Sequence, residues 1–251
     1  MTKIRIITPI ITTGFRNNVP LATAAPMGCD LSFAFLTNGP ASIESSIDEV
    51  LAAPGVIDAA LKAQADGMDA VIIDCMLDPG LDAAREAVEI PVIGCGEASL
   101  REASKFGRFS VLTVLDRQKR AFRKQAACHG LSDQLASVRG IGIPVLDLER
   151  DREASIDATI RESRGAVNDD GARVIIFGCT GMLGFAEPVY QALGPEIDLV
   201  IDPLPHAIAV AHAAVSENDK TDKLLYPRPD PKPVLGFSSW ISLSNVLGDK
   251  R

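Results

Sequence analysis

The 251-residue chain has only 3 His, 1 Trp and 2 Tyr, and no two of its five cysteines (Cys29, Cys75, Cys95, Cys128, Cys179) lie closer than 20 positions apart. A CxxC redox pair and a local zinc knuckle are thereby excluded. The longest stretch free of Asp, Glu, Lys and Arg spans 16 residues, 233–248, and is rich in Ser and Gly, short of the roughly 18 apolar residues a spanning helix needs. No membrane span is expected. With 25 Lys+Arg against 33 Asp+Glu the formal charge is −8, and no basic stripe offers the electrostatic footprint of nucleic-acid or anionic-membrane binding. HExxH, P-loop and complete GxGxxG motifs are missing, and Gly94-Cys95-Gly96 followed by Ser99 is only a near miss to the last. What is present, 47% hydrophobic and 23% charged residues, is the balance of a globular protein with one large domain or two smaller ones. An N-terminus without a signal-like apolar region and an odd number of unpaired thiols lead to the expectation of a cytoplasmic protein.

Short β-rich apolar runs at 4–8, 31–36, 70–73, 92–94, 109–114, 174–177 and 199–201 alternate with helical patterns at 46–65 (interrupted near Pro54), 79–88, 97–105, 117–128, 153–167 and 206–216. That alternation predicts parallel sheets with crossover helices. A repeat lies on top of it. GMDAVIIDC (67–75) matches GARVIIFGC (171–179), with the two cysteines 104 positions apart, and KIRIIT (3–8) matches RFSVLT (108–113) at an offset of 105. The expected fold is therefore α/β, with two similar doubly wound parallel-sheet lobes related by a pseudo-twofold axis and the site in the cleft between them. The first lobe is expected at 1–97, completed by 207–251, and the second at 98–206. Alternating Pro227, Pro229, Pro231 and Pro233 favour an extended arm, and the apolar end around Trp240 suits docking on its own or a neighbouring subunit.

Ligands of open α/β sheets bind outside the carboxyl ends of the strands, where Cys75 and Cys179 both fall. Asp78 and Pro79 suit the cap and first position of a helix aimed at Cys75, which would favour its thiolate and leave backbone N–H groups free for an oxyanion. Thr180, Gly181 and Gly184 let the chain after Cys179 fold closely around a ligand. Facing thiols can remove a proton from an activated carbon on one side and return one on the other. Buried small residues would also explain each cysteine alone, but not both at equivalent points of a repeat. Cys95 suits packing or the edge of the cleft, Cys29 packing, and His129 a helix C-terminus; His206 suits either the cleft or a helix start, and His212 packing.

CMLDPGLDAARE (75–86), IPVIGCGEAS (90–99), GPASIES (39–45), APGVI (53–57) and FGCTGM (177–182) resemble the hydantoin and allantoin racemases of the aspartate/glutamate/hydantoin racemase superfamily, over about residues 3–216. The resemblance implies cofactor-free and metal-free two-base racemisation of a small molecule in a homo-oligomer, with Cys75 and Cys179 as opposing acid and base. It further implies a pocket lined by Pro9, Ile10, Thr12, Ser42, Met76, Leu77, Thr113, Thr180 and Gly181. Two departures stand out: the loop after the first strand reads Thr8-Pro9-Ile10-Ile11-Thr12 in place of an Asn-Pro-Asn-Thr-like sequence, and Asp74 replaces a small residue before Cys75. A carboxylate there opposes thiolate formation unless it points away along the strand. The expected substrate is a 5-substituted hydantoin, allantoin or a related cyclic amide. The alternatives are a maleate-isomerase-like or arylmalonate-decarboxylase-like enzyme, an acidic amino-acid racemase, and a small-molecule-binding sensor without catalysis.

Overall fold

The same four-stranded parallel sheet occurs twice in the computed structural model, which describes residues 1–19, 21, 25–230 and 232. β1 (Thr2–Thr8), β2 (Cys29–Phe35), β3 (Ala70–Ile73) and β4 (Val92–Gly94) form one sheet in the order β2-β1-β3-β4. β5 (Phe109–Thr113), β6 (Leu135–Gly140), β7 (Val174–Phe177) and β8 (Leu199–Ile201) form the other in the order β6-β5-β7-β8. The central pairs share their register as well: Ile4 lies opposite Ala70 and Ile7 opposite Ile73, as Phe109 lies opposite Val174 and Leu112 opposite Phe177. Helices cover both faces, so β3 and β7 are buried at every position and read as unbroken apolar runs.

The helices are α1 (Ser46–Ala65), α2 (Leu81–Ala87), α3 (Cys95–Ser104), α4 (Lys119–Cys128), α5 (Arg152–Asn168), α6 (Ala186–Leu193) and α7 (Pro203–Ser216). Two of them change lobes. α3 follows β4 yet packs on β7 and β8, whereas α7 follows β8 and returns to β1, β3 and β4. α3 and α7 also pack against each other, so Ile4, Ile6 and Ile72 share one core with Leu100, Phe109, Val174 and Ile208. Burial common to both sheets fixes the lobes against one another and hence the two strand-end loops.

Several expectations need correction. α1 runs unbroken through Pro54, starting from Ser45, whose side chain accepts from the Asp48 N–H while Asp48 accepts back from Ser45 and from the Glu44 N–H. This reciprocal cap satisfies donors at the start of the helix, and Pro54 removes one hydrogen bond further along without ending it. β6 has no counterpart in the sequence reading, because an edge strand with one buried residue, Val138, shows no apolar run. α7 begins at Pro203, three residues earlier than expected, with Pro203 in a position where its missing N–H costs nothing. After α7 the chain lies along the first lobe, where the Lys223 Nζ donates to the carbonyls of Arg85, Glu86 and Val88 at 2.8, 3.1 and 2.7 Å. It caps the C-terminal end of α2 with a cation, the favourable sign for that end. Pro231, Pro233 and the apolar end with Trp240 lie outside the described residues.

Candidate active site

Both cysteines leave the carboxyl ends of central strands by the same local path. The β1–β3 ladder runs one step past β3, with the Asp74 N–H donating to the Ile7 carbonyl at 2.9 Å, and Cys75 follows. In the second lobe the Gly178 N–H donates to the Leu112 carbonyl at 2.6 Å, and Cys179 follows. Each sulfur is then met by the backbone N–H two residues further on, Leu77 for Cys75 and Gly181, at 3.3 Å, for Cys179. The repeat seen in the sequence is thus a repeat of thiol environments.

The two half-buried sulfurs border a single narrow cleft, with about 40 Å³ of room for the centres of water-sized atoms. Pro9, Ile10, Met76, Leu77, Thr180 and Gly181 line it with them. Three other residues expected there do not: Thr12 and Ser42 are half-buried, and Thr113 is fully buried and donates its hydroxyl to Gln118 Oε1 at 2.7 Å. Gln118 itself is on the lining, as are Phe15, Ile43 and Val145. Gln118 also reaches the first lobe, donating to the Ile43 carbonyl at 3.3 Å. Thr113 therefore acts one layer back, by orienting an amide that borders the cleft.

Asp74 is also on the lining, and its charge is met from an unexpected direction. The Arg16 guanidinium donates to its two oxygens at 3.2 and 2.6 Å, and the Thr8 hydroxyl donates at 2.8 Å. With 1% and 0% of their side chains exposed, Arg16 and Asp74 form a buried, hydrogen-bonded ion pair. The same guanidinium also donates to the Thr180 carbonyl of the other lobe at 2.8 Å, and the Thr180 hydroxyl donates to the Asp74 carbonyl at 3.2 Å. Sequence reasoning missed Arg16. Its one signal was charge, since Arg16 is the only Lys or Arg between residues 6 and 61 and Asp74 needed a partner.

The Cys75 loop has a mirror-image clasp. Gln125 on α4 donates to the Met76 carbonyl at 2.8 Å, so the residue after each cysteine has its carbonyl held by a side chain of the other lobe. Asp78, expected to cap α2, instead caps α3: its carboxylate accepts from the Gly96 and Glu97 N–H groups at 2.9 and 2.7 Å, while α2 starts after Gly80 with no side-chain cap. The Gly94-Cys95-Gly96 turn is small for this reason. A Cβ on Gly94 would stand 2.5 Å from the Asp78 carboxyl carbon, and one on Gly96 would collide with the Met76 carbonyl and the Gln125 amide. Burial of the Asp78 carboxyl pushes its pKa up to about 7 despite the two N–H groups it accepts from. Gly96→Ala is expected to destabilise the protein by about 1–3 kcal/mol through overpacking. The same substitution displaces the Cys75 loop, so activity should fall by more than the unfolded fraction explains; urea melts and single-temperature kinetics on one preparation measure both.

Neither thiol is stabilised as thiolate in the way the helix-cap expectation required. Burial raises Cys75 well above the ordinary thiol value, with Asp78, Cys179 and Asp74 adding to the rise and the Leu77 N–H opposing it. Burial likewise pushes Cys179 up to about 11, but there the Gly181 N–H and the Arg16 guanidinium both oppose it. α2 starts at Leu81, two residues later than expected, and the N–H that meets Cys75 is that of Leu77, which lies outside the helix. Cys95 is fully buried in the shared core and Cys128 is exposed. Cys29 starts β2 and lies 3.2 Å from His212 Nδ1, away from the cleft. His129 is the C-cap of α4, and His206 sits in the first turn of α7 against α3, with burial lowering its pKa. It does not border the cleft.

Duplicated parallel lobes that each deliver a thiol to a shared cleft define a two-lobed α/β protein with a small-molecule site at the lobe interface. The chain belongs to the Asp/Glu/Hydantoin racemase family, whose model matches residues 12–211. It is 37% identical over 238 residues to a hydantoin racemase of Pseudomonas sp. (strain NS671), covering 93% of this chain and 94% of that one. Its structure is similar to an allantoin racemase from Klebsiella pneumoniae, with a TM-score of 0.88 at 29% identity over 96% of this chain and 99% of that one. An allantoin racemase from Pseudomonas fluorescens gives a TM-score of 0.87 at 30% identity, covering 94% and 100% of the two chains.

Proposed function

We propose that the protein is a cofactor-independent racemase of 5-substituted hydantoins, allantoin or a related cyclic amide, with Cys75 and Cys179 moving the proton from opposite faces of the ring. The observation that carries this reading is a cleft bordered by both sulfurs whose lining, among the described residues, contains no Lys or Arg. An amino acid or dicarboxylate brings a carboxylate that needs a cationic partner on entering such a cleft. Arg16, the cation nearest at hand, already has its donors on Asp74 and Thr180. A ring amide carries no net charge and needs none. The relatives named for hydantoin and allantoin point to the same substrate class.

In the step so described, one cysteine as thiolate takes the hydrogen from the ring carbon next to the carbonyl. The electron pair left behind delocalises into that carbonyl, and the other cysteine as thiol delivers a proton to the opposite face. The two sulfurs have then exchanged roles, and the stereocentre is inverted. Because burial raises both thiols, the form with one thiolate is scarce at neutral pH, and kcat/KM should climb steadily between pH 7 and pH 9.

The experiment is NMR in deuterium oxide with a panel of 5-substituted hydantoins, allantoin, aspartate and glutamate. Exchange of the ring hydrogen with loss of optical rotation in the cyclic amides, and none in the amino acids, is the expected result. Exchange confined to aspartate or glutamate would overturn the substrate assignment, and binding of a ring without exchange would make the protein a sensor. The proposal includes assembly into a homo-oligomer, read by sedimentation of the full chain, and a cytoplasmic setting in which both thiols stay reduced. Among the described residues no helix is long and apolar enough to cross a membrane.

A further inference from the structure

The two thiols sit in equivalent turns, but the charges around them are not equivalent. Asp74 is the residue immediately before Cys75, and Asp78 lies in the same loop, so the titratable groups that oppose the ionisation of Cys75 are Asp78, Cys179 and Asp74. On the opposite side the Arg16 guanidinium bonds to the carbonyl of Thr180, the residue immediately after Cys179. The pair Arg16–Asp74 is neutral as a whole, yet it joins the two loops with its negative end on the Cys75 strand and its positive end on the Cys179 turn. A fixed dipole of this kind in a partly desolvated cleft favours a negative charge at its positive end.

We infer that Arg16 is a positioning residue that polarises the thiol pair, so that the scarce form with one thiolate carries its charge on Cys179 and its proton on Cys75. The inference rests on the two-thiol reading above and deepens it. Its consequence is directional. The singly ionised form accepts first the enantiomer that presents its C–H to Cys179; that proton goes to Cys179, the Cys75 proton goes to the ring, and the pair is left with the charge on Cys75. A return turnover with the other enantiomer, or proton exchange with solvent, restores the starting form.

The other charged groups around the pair do not cancel the asymmetry. Glu44, ahead of α1, faces Cys179 and opposes its ionisation more weakly than Arg16 assists it, and Asp74 opposes the ionisation of both thiols. Asp202, just after β8, interacts with the Arg16 guanidinium, and one of its carboxylate oxygens accepts from the Gly184 N–H at 2.7 Å. Cys95 lies behind Cys75 and is fully buried.

The test uses the full chain without substrate, so it does not depend on the racemase reading. Iodoacetamide labelling is followed in short pulses between pH 7 and pH 12 by peptide mass spectrometry, and the pH at which each cysteine reaches half its limiting rate is read for Cys75 and Cys179 separately. That midpoint reports ionisation, whereas access alters only the limiting rate. Cys179 is expected to have the lower midpoint by about one pH unit or more. In Arg16→Gln the Cys179 midpoint should rise toward that of Cys75, and in Arg16→Lys it should be largely restored. A lower midpoint for Cys75 in the native chain overturns the inference, as does an Arg16→Gln variant with both midpoints unmoved. Should Arg16→Gln not fold, Asp74→Asn serves: loss of the carboxylate should lower the Cys179 midpoint, and an unchanged or higher one overturns the inference. Failure here with ring exchange intact in the NMR panel would leave the two-thiol racemase standing and remove only the assignment of the charge to Cys179.

Discussion

Cys75→Ser and Cys179→Ser are each expected to lower racemisation by about 10³-fold or more while leaving the fold intact. A serine hydroxyl has the size to fill either turn, but it is a much weaker acid than a thiol and neither gives up nor accepts the proton at useful rates. Loss of one group does more than slow the chemistry. A carbanion formed by the surviving sulfur can be reprotonated only from the face it left, so the product is the starting enantiomer. Each variant should therefore exchange the ring hydrogen for deuterium in one enantiomer only, with retained optical rotation, and the two variants should select opposite enantiomers. With Cys179 the more readily ionised thiol, the exchange kept by Cys75→Ser should be the faster of the two. The measurement is parallel polarimetry and NMR on resolved enantiomers. Two single variants that still racemise at the native rate would remove both cysteines from the reaction.

The expectation of opposed thiols was legible because the central strands of both lobes are buried on both faces. That burial leaves a four-residue apolar run closed by a cysteine, once at Ala70–Ile73 and again at Val174–Phe177, and the repeat follows from the shared strand order. Elements that touch solvent carried less information. β6 buries only Val138 and contains Arg139, which pairs with Asp170 at 2.6 Å, so its sequence looks like a loop. The loop contacts were illegible for another reason: they join residues far apart in the chain by single polar side chains. Arg16 finds Asp74 across 58 positions and Thr180 across 164, and Gln125 finds Met76 across 49. No periodicity encodes such a contact. Asp78 shows the converse error, in which a sound local rule for helix caps loses to a deeper site: the backbone of α3 offers two N–H groups to a carboxylate already desolvated by the core.

Removal of the Arg16 cation has the largest expected effect on stability. Arg16→Met leaves the Asp74 carboxylate buried with the Thr8 hydroxyl as its remaining side-chain donor, and breaking a buried pair in this way costs about 3–5 kcal/mol. The Thr180 carbonyl loses its donor at the same time, a smaller cost of about 1–3 kcal/mol. Most of the damage is therefore the stranded charge and not the lost attraction, and this can be separated by a second substitution. Asp74→Asn keeps an acceptor for Thr8 and removes the charge, so the double variant Arg16→Met/Asp74→Asn should be more stable than Arg16→Met alone, although it carries one more change. Urea denaturation of the four proteins in the cycle gives the coupling directly. An Arg16→Met variant as stable as the native chain, or a double variant weaker than it, would mean that Asp74 is not held as a buried carboxylate, and the dipole assigned to the cleft would lose its negative end.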